Sequence, residues 1–285
     1  MKNKITAAAK SAGIEAVGVC RARVYEELLP FLSTEQTPMT ADINERINPF
    51  LLMSEARSVI VCLFPYFVNG KRSNLSIYAK GKDYHTYVKK RMAAIEKVLC
   101  ENGFSAMSFS DSAPLVDRYL AYLSGLGFFG KNRALISPVY GSYTFIGYIL
   151  TDAEIEEDMP MERRCADCGM CIKACPGGAL CEKGFDAAFC ASYITQKKGE
   201  LSKKEEEIIQ KSGYAWGCDI CQSVCPHNKN IPDTSFDEFL SDTIAELTKG
   251  MAESNREFKR KFCDRAFSWR GLEVIERNLE ILKEK

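Results

Sequence analysis

The sequence carries no excess charge of either sign, since 38 Lys and Arg balance 38 Asp and Glu across 285 residues. That excludes the global positive field by which many nucleic-acid binders hold phosphates, so any such contact has to be local. Long hydrophobic runs are missing as well. The longest apolar stretches, Ser58 to Phe64 and Tyr143 to Leu150, are strand-length and far below a membrane span. Lys10 and Glu15 interrupt the N-terminal stretch before it reaches the apolar length of a secretion signal. A soluble, cytoplasmic protein with no membrane partner is expected. No low-complexity tract is present, and no internal repeat beyond one doubled cysteine pattern.

What the chain does have is cysteine, 13 in all. Cys165, Cys168, Cys171 and Cys175, the last followed by Pro176, form a C-x2-C-x2-C-x3-C-P run, and Cys218, Cys221, Cys225 and Pro226 repeat its second half. Three thiolates two residues apart can wrap one face of a cuboidal cluster, while the fourth Cys, before Pro, leaves on a new segment and ligates the other cluster. The two runs therefore cross-ligate two 4Fe-4S clusters. Cys165, Cys168 and Cys171 share one with Cys225; Cys218 and Cys221 share the other with Cys175. That second cluster is one thiolate short, and Cys181 and Cys190 are both placed to supply it. A pair of four-cysteine zinc sites is the competing reading of C-x-x-C pairs, but zinc ribbons do not need the x3-C-P continuation. An odd count in ligand-like clusters also argues against a disulfide framework.

The hydrophobic content of 46% and the length suit about two domains. Ahead of the cysteines, the pattern is of mixed α and β elements: a helix to about Ala12, a strand from Ala16 to Cys20 and a buried strand from Ser58 to Phe64 stopped by Pro65. A helix is expected from Asp83 to Cys100, an extended stretch from Phe104 to Phe109, a helix from Pro114 to Leu123 with Ser112 as its cap, and a strand from Ser142 to Leu150. The acidic segment Asp152 to Asp158 marks a boundary, and helices are expected from Asp237 onward. The fold class is α+β, divided into a mixed α/β domain at 1–155, a ferredoxin-like double 4Fe-4S domain at 156–232 and a C-terminal helical segment at 233–285. Gly125, Gly127 and Gly130 spell G-x-G-x-x-G, but they follow a helical segment and lead into an extended one, the reverse of a dinucleotide site. A glycine loop approaching a bulky ligand fits better.

Several longer stretches resemble the epoxyqueuosine reductase family. They are Glu45 to Pro49 (ERINP), Tyr78 to His85 (YAKGKDYH), Asp111 to Arg118 (DSAPLVDR), Gly125 to Asn132 (GLGFFGKN), Tyr140 to Leu150, the segment CASYIT at Cys190, and Trp269 to Asn278 (WRGLEVIERN). The resemblance implies a short form of a cobalamin- and iron-sulfur-dependent oxidoreductase that finishes queuosine in the anticodon loop of tRNA. Long members continue into a helical-repeat extension, whereas this sequence stops at Lys285. It implies Cys190 as the missing cluster ligand and Cys181 as a spare. It also makes 1–155 a cobalamin-binding catalytic domain, with Asp111 matching the proton donor. From local sequence alone Asp111 reads equally as a turn or cap residue, and His85 as a hydrogen-bonding or structural histidine rather than an axial cobalt ligand. Arg46, Tyr78, His85 and Asp111 are further implied to contact the cofactor. Lys131, Asn132, Ser137, Gly141 and Ser142 suit the corrin's amide and phosphate periphery, which wants backbone donors and small hydroxyls. Asp117 stands where the family usually has Glu, and His227 where it usually has Trp.

Two partners follow. The first is tRNA, for which Arg256, Lys259, Arg260, Lys261, Arg265 and Arg270, with Phe258, Phe262, Phe267 and Trp269, form the best candidate surface; basic groups would grip phosphates and aromatics would stack on bases. The blander reading of the same residues is an amphipathic helix with its aromatics in the core. The second is an external one-electron donor such as flavodoxin or ferredoxin. The chain is expected to act as a monomer. Two other functions compete: a cobalamin-dependent reductase of a small molecule, akin to a reductive dehalogenase, and a ferredoxin-like electron carrier.

Overall fold

The computed structural model describes residues 1–32, 42–111, 113–182 and 184–283. In chain order these form α1 (Lys2–Ser11), β1 (Ala16–Arg21), α2 (Ile43–Ile47), β2 (Ser58–Pro65), α3 (Tyr84–Glu101), β3 (Ala106–Ser110), α4 (Asp117–Leu123), β4 (Phe128–Phe129), β5 (Leu135–Ile136) and β6 (Thr144–Thr151). There follow α5 (Met170–Ala174), β7 (Leu180–Cys181), β8 (Gly184–Phe185), α6 (Ala191–Ile194), α7 (Lys203–Ser212), α8 (Ile220–Ser223), α9 (Asp237–Leu240), α10 (Asn255–Lys261) and α11 (Leu272–Lys283). Among the described residues no helix is long and apolar enough to cross a membrane.

The chain divides into two compact units that interleave along the sequence. The first holds Met1–Phe64, His85–Phe128 and Thr144–Arg164; the second holds Pro65–Tyr84, Phe129–Tyr143 and Cys165–Lys285. This differs from the linear division at 155 and 232. Segments 65–84 and 129–143 belong with the cysteine runs, and the C-terminal helices share a core with Leu75, Ala79 and Trp216.

The first unit is built on a four-stranded sheet in the order β1-β2-β6-β3. β1 runs antiparallel to β2, Ala16 facing Leu63 and Arg21 facing Ser58. β3 runs antiparallel to β6, Ala106 facing Thr151 and Ser110 facing Gly147. Every residue of β2 is buried, as its unbroken apolar run demands of a central strand. α3 presents Val88, Met92, Ile95 and Leu99 as a fully buried stripe at helical spacing. It lies so close to β6 that a Cβ on Gly147 would come within 2.7 Å of Val88 and Met92, which is why that strand position has no side chain. α4 begins at Asp117, three residues later than expected, because Leu115 is drawn into the core instead. Ser112, expected as its cap, lies outside the described residues.

In the second unit the helices carrying cysteines are four or five residues long. α7 is longer and well bounded, with a capping box between Ser202 and Glu205 and Gly213 in the left-handed conformation at its end. Trp216 anchors the C-terminal core, where Phe258, Phe267 and Ile275 are fully buried, and its Nε1 donates to Tyr78 Oη at 2.9 Å.

Candidate cluster-binding and acid-base sites

The second unit holds all eight cysteines of the expected ligand sets. Burial and neighbouring sulfurs raise the thiols of five of them. The Cys171 thiol is pushed up by burial and by the sulfurs of Cys165 and Cys225, and Cys225 is pushed up by burial and by Cys165 and Cys168. The Cys190 thiol is pushed up by burial and by Cys175. Cys218 is pushed up to about 12 by burial, with Asp219, Cys190 and Cys175 adding to the effect. Cys221 is raised by burial and then by Cys218, Cys190, Cys175 and Cys171, the last a member of the other expected set. Cys181 is exposed on β7.

Backbone donors oppose these rises: His227 and Asn228 at Cys225, Ser192 and Tyr193 at Cys190, and Ile220 at Cys218. Cys190 is the N-cap of α6, where amide groups favour a thiolate. Metal coordination needs the deprotonated sulfur, so these donors prepare ligands that burial alone would keep protonated. Among the described residues no group of three or more His, Cys, Asp or Glu could hold a single metal ion. A cuboidal cluster spreads its thiolates more widely than one ion does.

Residues 129–143, which follow Gly125 and Gly127 and include Gly130, belong to the same unit. β4 and β5 form a two-stranded sheet rather than a strand-to-helix turn, which removes the dinucleotide reading of Gly125, Gly127 and Gly130. Lys131 Nζ is held between Asp167 and Glu182 Oε2, the latter at 2.7 Å. Asn132 is buried; its Oδ1 accepts from Ala134 N at 3.2 Å, and its Nδ2 has no protein partner. Ser137 Oγ accepts from Val139 N and Tyr140 N at 3.4 Å each. Gly141 has φ +59°, and a Cβ there would collide with Asn228 Oδ1. Ser142 donates through its N to Asn228 Oδ1 at 2.8 Å and through its Oγ to Gln222 Oε1 at 2.9 Å. Asn228 Nδ2 in turn donates to Ser142 Oγ and to the Gln222 carbonyl, each at 2.8 Å. This network fastens the loop to the segment after the second C-P. Nothing in the cysteine spacing pointed to it, because it depends on two loops meeting.

The first unit gathers a different chemistry at the end of β3. Asp111 follows the last strand residue with φ +54°, a left-handed conformation uncommon outside glycine and costly enough to mark a site. Its Oδ2 lies 3.4 Å from Nε2 of His85, in the first turn of α3. Asp117 has its carboxyl raised by burial and by the charge of Asp111, with Arg118 opposing. Arg46, at the end of α2, has its guanidinium lowered by burial and by Arg118. Arg46, His85 and Asp111 were read from sequence. Asp117, half-buried in the fold, was visible there only as a shorter acid in a familiar position. Its burial is tertiary, so no sequence signal announced it.

The candidate RNA surface is partly corrected. Phe258, Phe262 and Phe267 are buried, at 0%, 7% and 0% exposure, and so cannot stack on bases. Arg265 is buried too, donating to Asp242 at 2.6 Å and to the Lys80 carbonyl at 3.4 Å. Of the two readings left open by the sequence, the buried face holds for these three rings. Arg256, Lys259, Arg260 and Lys261 remain exposed, and Trp269, 49% exposed, carries the Arg270 guanidinium 3.6 Å from its ring centroid.

Comparison with known proteins shows the family. Residues 164–228 match the 4Fe-4S double cluster binding domain, and residues 46–112 match the family described as "Epoxyqueuosine reductase QueG, DUF1730". A curated epoxyqueuosine reductase of Bacillus anthracis is 34% identical, covering 98% of this chain and 78% of the relative. The chain belongs to the epoxyqueuosine reductase family. Another member, from Leadbetterella byssophila, is 31% identical with 95% of each chain covered. A solved epoxyqueuosine reductase in complex with an epoxyqueuosine-modified tRNA stem loop superposes with a TM-score of 0.87 at 32% identity, over 99% of this chain and 80% of that one. A reductive dehalogenase superposes with a TM-score of 0.51 at 15% identity, covering 98% of this chain and 35% of that one, a likeness of fold alone.

Proposed function

We propose that this epoxyqueuosine reductase family member reduces epoxyqueuosine to queuosine at the wobble position of tRNA, using two 4Fe-4S clusters and cobalamin. Opening the epoxide to an alkene takes two electrons and two protons and releases water. One cluster is held by Cys165, Cys168, Cys171 and Cys225, the other by Cys175, Cys190, Cys218 and Cys221. The C-x2-C-x2-C-x3-C-P spacing supports this division, as does the exposure of Cys181 on its own short strand. Cobalamin, when bound, supplies the centre at which single electrons are collected for a two-electron bond cleavage.

Asp111 is the proton donor to the leaving oxygen. Its side chain is 59% exposed in the chain by itself, so the neutral acid has to be favoured by desolvation once the site is filled. His85 orients it: a histidine 3.4 Å away can hold the carboxyl in place and pass a proton back to it after turnover. Tyr78, Asn132, Ser137, Gly141 and Ser142, all in the second unit, are the cofactor contacts. For Asn132 the support is direct, since a buried amide N–H without a protein partner fits the amide periphery of a corrin. Lys131 reaches that periphery only by exchanging Asp167 or Glu182 for it.

The anticodon stem loop meets Trp269 and Arg270 and the exposed Arg256, Lys259, Arg260 and Lys261. Trp269→Ala is expected to weaken stem-loop binding by about tenfold, the loss of one stacked base at 1–3 kcal/mol, in a filter-binding titration. The protein works in the cytoplasm, as a monomer, with electrons from a flavodoxin or ferredoxin.

One observation carries the reading: the chain gathers the eight candidate cluster cysteines in one unit and holds a carboxylate in a left-handed turn against a histidine. The test is anaerobic reconstitution with iron, sulfide and cobalamin, then incubation with reductant and epoxyqueuosine-containing tRNA, reading nucleosides by mass spectrometry. Loss of one oxygen from the modified nucleoside is the expected result. Full cofactor loading without conversion would instead point to a small-molecule substrate.

A further inference from the structure

A cavity of about 230 Å³ opens within the second unit against the loop that carries the second cysteine run. Asp219 and Ser223, on either side of Cys221, line it. Tyr214 forms another part of the lining, and its hydroxyl is raised by burial and by the charges of Asp219 and Cys218. Cys218 is the chain neighbour of the lining residue Asp219, and Cys221 lies two residues from each of Asp219 and Ser223.

The other charged groups of the lining are all basic: Lys71, Arg72 and Lys80. Lys71 and Arg72 are exposed. Arg72 is braced, donating to the Ser212 carbonyl at 2.5 Å, with its guanidinium 5.2 Å from the Tyr214 ring centroid. Asp219 is the one acid in the lining among the described residues. It is 3% exposed and accepts from Ser76 Oγ at 2.5 Å and Ile77 N at 2.8 Å, so its charge faces inward. Asp233, near the rim, accepts from Asn69 N at 2.6 Å. The opening thus presents localised positive charge on a chain whose net charge is zero.

We propose that this basic-rimmed cavity is the docking site of a small acidic one-electron carrier protein, which delivers electrons to the cluster held by Cys175, Cys190, Cys218 and Cys221. The inference rests on the function proposed above. In each encounter one electron leaves the carrier's reduced centre and reduces the oxidised cluster. Two encounters, with two protons, match each epoxide opened to alkene and water. The chemistry of the patch suits such a partner. Redox encounters use small interfaces and are brought together by opposite charge, so their rates fall steeply with salt. Lys71 and Arg72 lie where a carboxylate-rich rim would meet them, and the cavity behind them admits a projecting group toward the cluster.

The test uses the full chain loaded with both clusters and cobalamin. Reduced flavodoxin is mixed with it in a stopped-flow instrument, and bleaching of the cluster absorbance is followed over a range of salt concentrations. Dithionite reduction is the control, because a small inorganic reductant needs no docking site. Lys71→Glu and the double variant Lys71→Glu/Lys80→Glu leave the Arg72 brace in place. The expected result is a fall of about tenfold or more in the flavodoxin rate at low salt, with the salt dependence flattened. Dithionite reduction, iron and cobalamin content should stay within twofold of the parent, and Lys71→Arg should restore the rate. An unchanged flavodoxin rate overturns the proposal. So does loss of cobalamin or iron, which would make the cavity a cofactor site, or weakened tRNA binding with normal flavodoxin reduction, which would make the rim an RNA surface. Cluster reduction is read without tRNA, so failure to reduce epoxyqueuosine would overturn the function proposed above and leave this measurement standing.

Discussion

In the first unit β2 buries all eight of its residues, whereas in the second the candidate ligand cysteines sit mostly in loops, with Cys171 and Cys221 on helices of five and four residues. A fully buried Val, Ile, Leu or Phe is worth roughly 1.5–3 kcal/mol, so the sheet and the α3 stripe can hold the first unit together by apolar burial. Helices as short as α5, α6 and α8 are not stable on their own length. The second unit has cores around Trp216 and around Ile208 and Ile209, but neither includes the cysteine loops as a whole. Those loops are shaped to be closed by iron, and metal binding there is coupled to folding. The contrast also divides the chemistry. The strained acid, Asp111, is carried on the rigid sheet, where its backbone cost can be sustained, while the electron-carrying loops depend on what they bind.

This contrast can be broken most severely at a cluster thiolate. Cys190→Ala should remove about four of eight irons and abolish turnover, with the second unit becoming sensitive to limited proteolysis and the first staying intact. Cys181→Ala should retain full iron. Full iron in the Cys190 variant, with loss in the Cys181 variant, would reverse the ligand assignment.

Next in size is Asp111→Asn. Both clusters and cobalamin should be retained while single-turnover reduction falls by about 10²–10⁴-fold, the usual worth of a general acid. An active variant would remove the proton-donor role. Ile60→Ala, in the middle of β2, sharpens the comparison from the other side. It should destabilise the first unit by about 2–5 kcal/mol in a denaturant titration, with iron content unchanged. If iron is lost in parallel, the two units do not depend on separate forces.

The smallest effect concerns Asp117, whose carboxyl is raised above its ordinary 3.8 by burial and by Asp111. A group whose folded-state value is raised favours the folded chain most below the unfolded value, and that advantage is lost as pH rises through the folded value. At neutral pH the buried charge is therefore a liability. Asp117→Asn should raise the melting temperature of the first unit by roughly 2–4 °C at pH 7, as about 1 kcal/mol would, with the gain vanishing as pH falls toward 3.8. A gain that persists at low pH would assign the effect to packing.

Much of this molecule could be read from sequence because the relevant forces are local. The run of Val, Ile, Val, Cys, Leu and Phe in β2, the α3 stripe and the cysteine spacing all act through residues a few positions apart. The C-x2-C-x2-C-x3-C-P run implied two clusters, and the family's cluster domain covers that region. The motif stretches named the family. The aromatic residues near the C-terminus fitted both a base-stacking surface and a buried face, and helical spacing alone could not choose between them. Burial of Phe258 and Phe267 against Trp216 decided it, leaving only Trp269 outside.

Sequence by itself determined the main strands and helices and the cluster chemistry, since period, turn residues and ligand spacing are properties of neighbouring residues. Only the tertiary structure decided that segments 65–84 and 129–143 join the cysteine runs, that Asn228 locks Ser142, that Asp111 meets His85, and that a basic rim stands over the Cys218–Cys221 loop. Each of these joins residues tens of positions apart, and such contacts are set by which surfaces exclude water together rather than by any spacing along the chain.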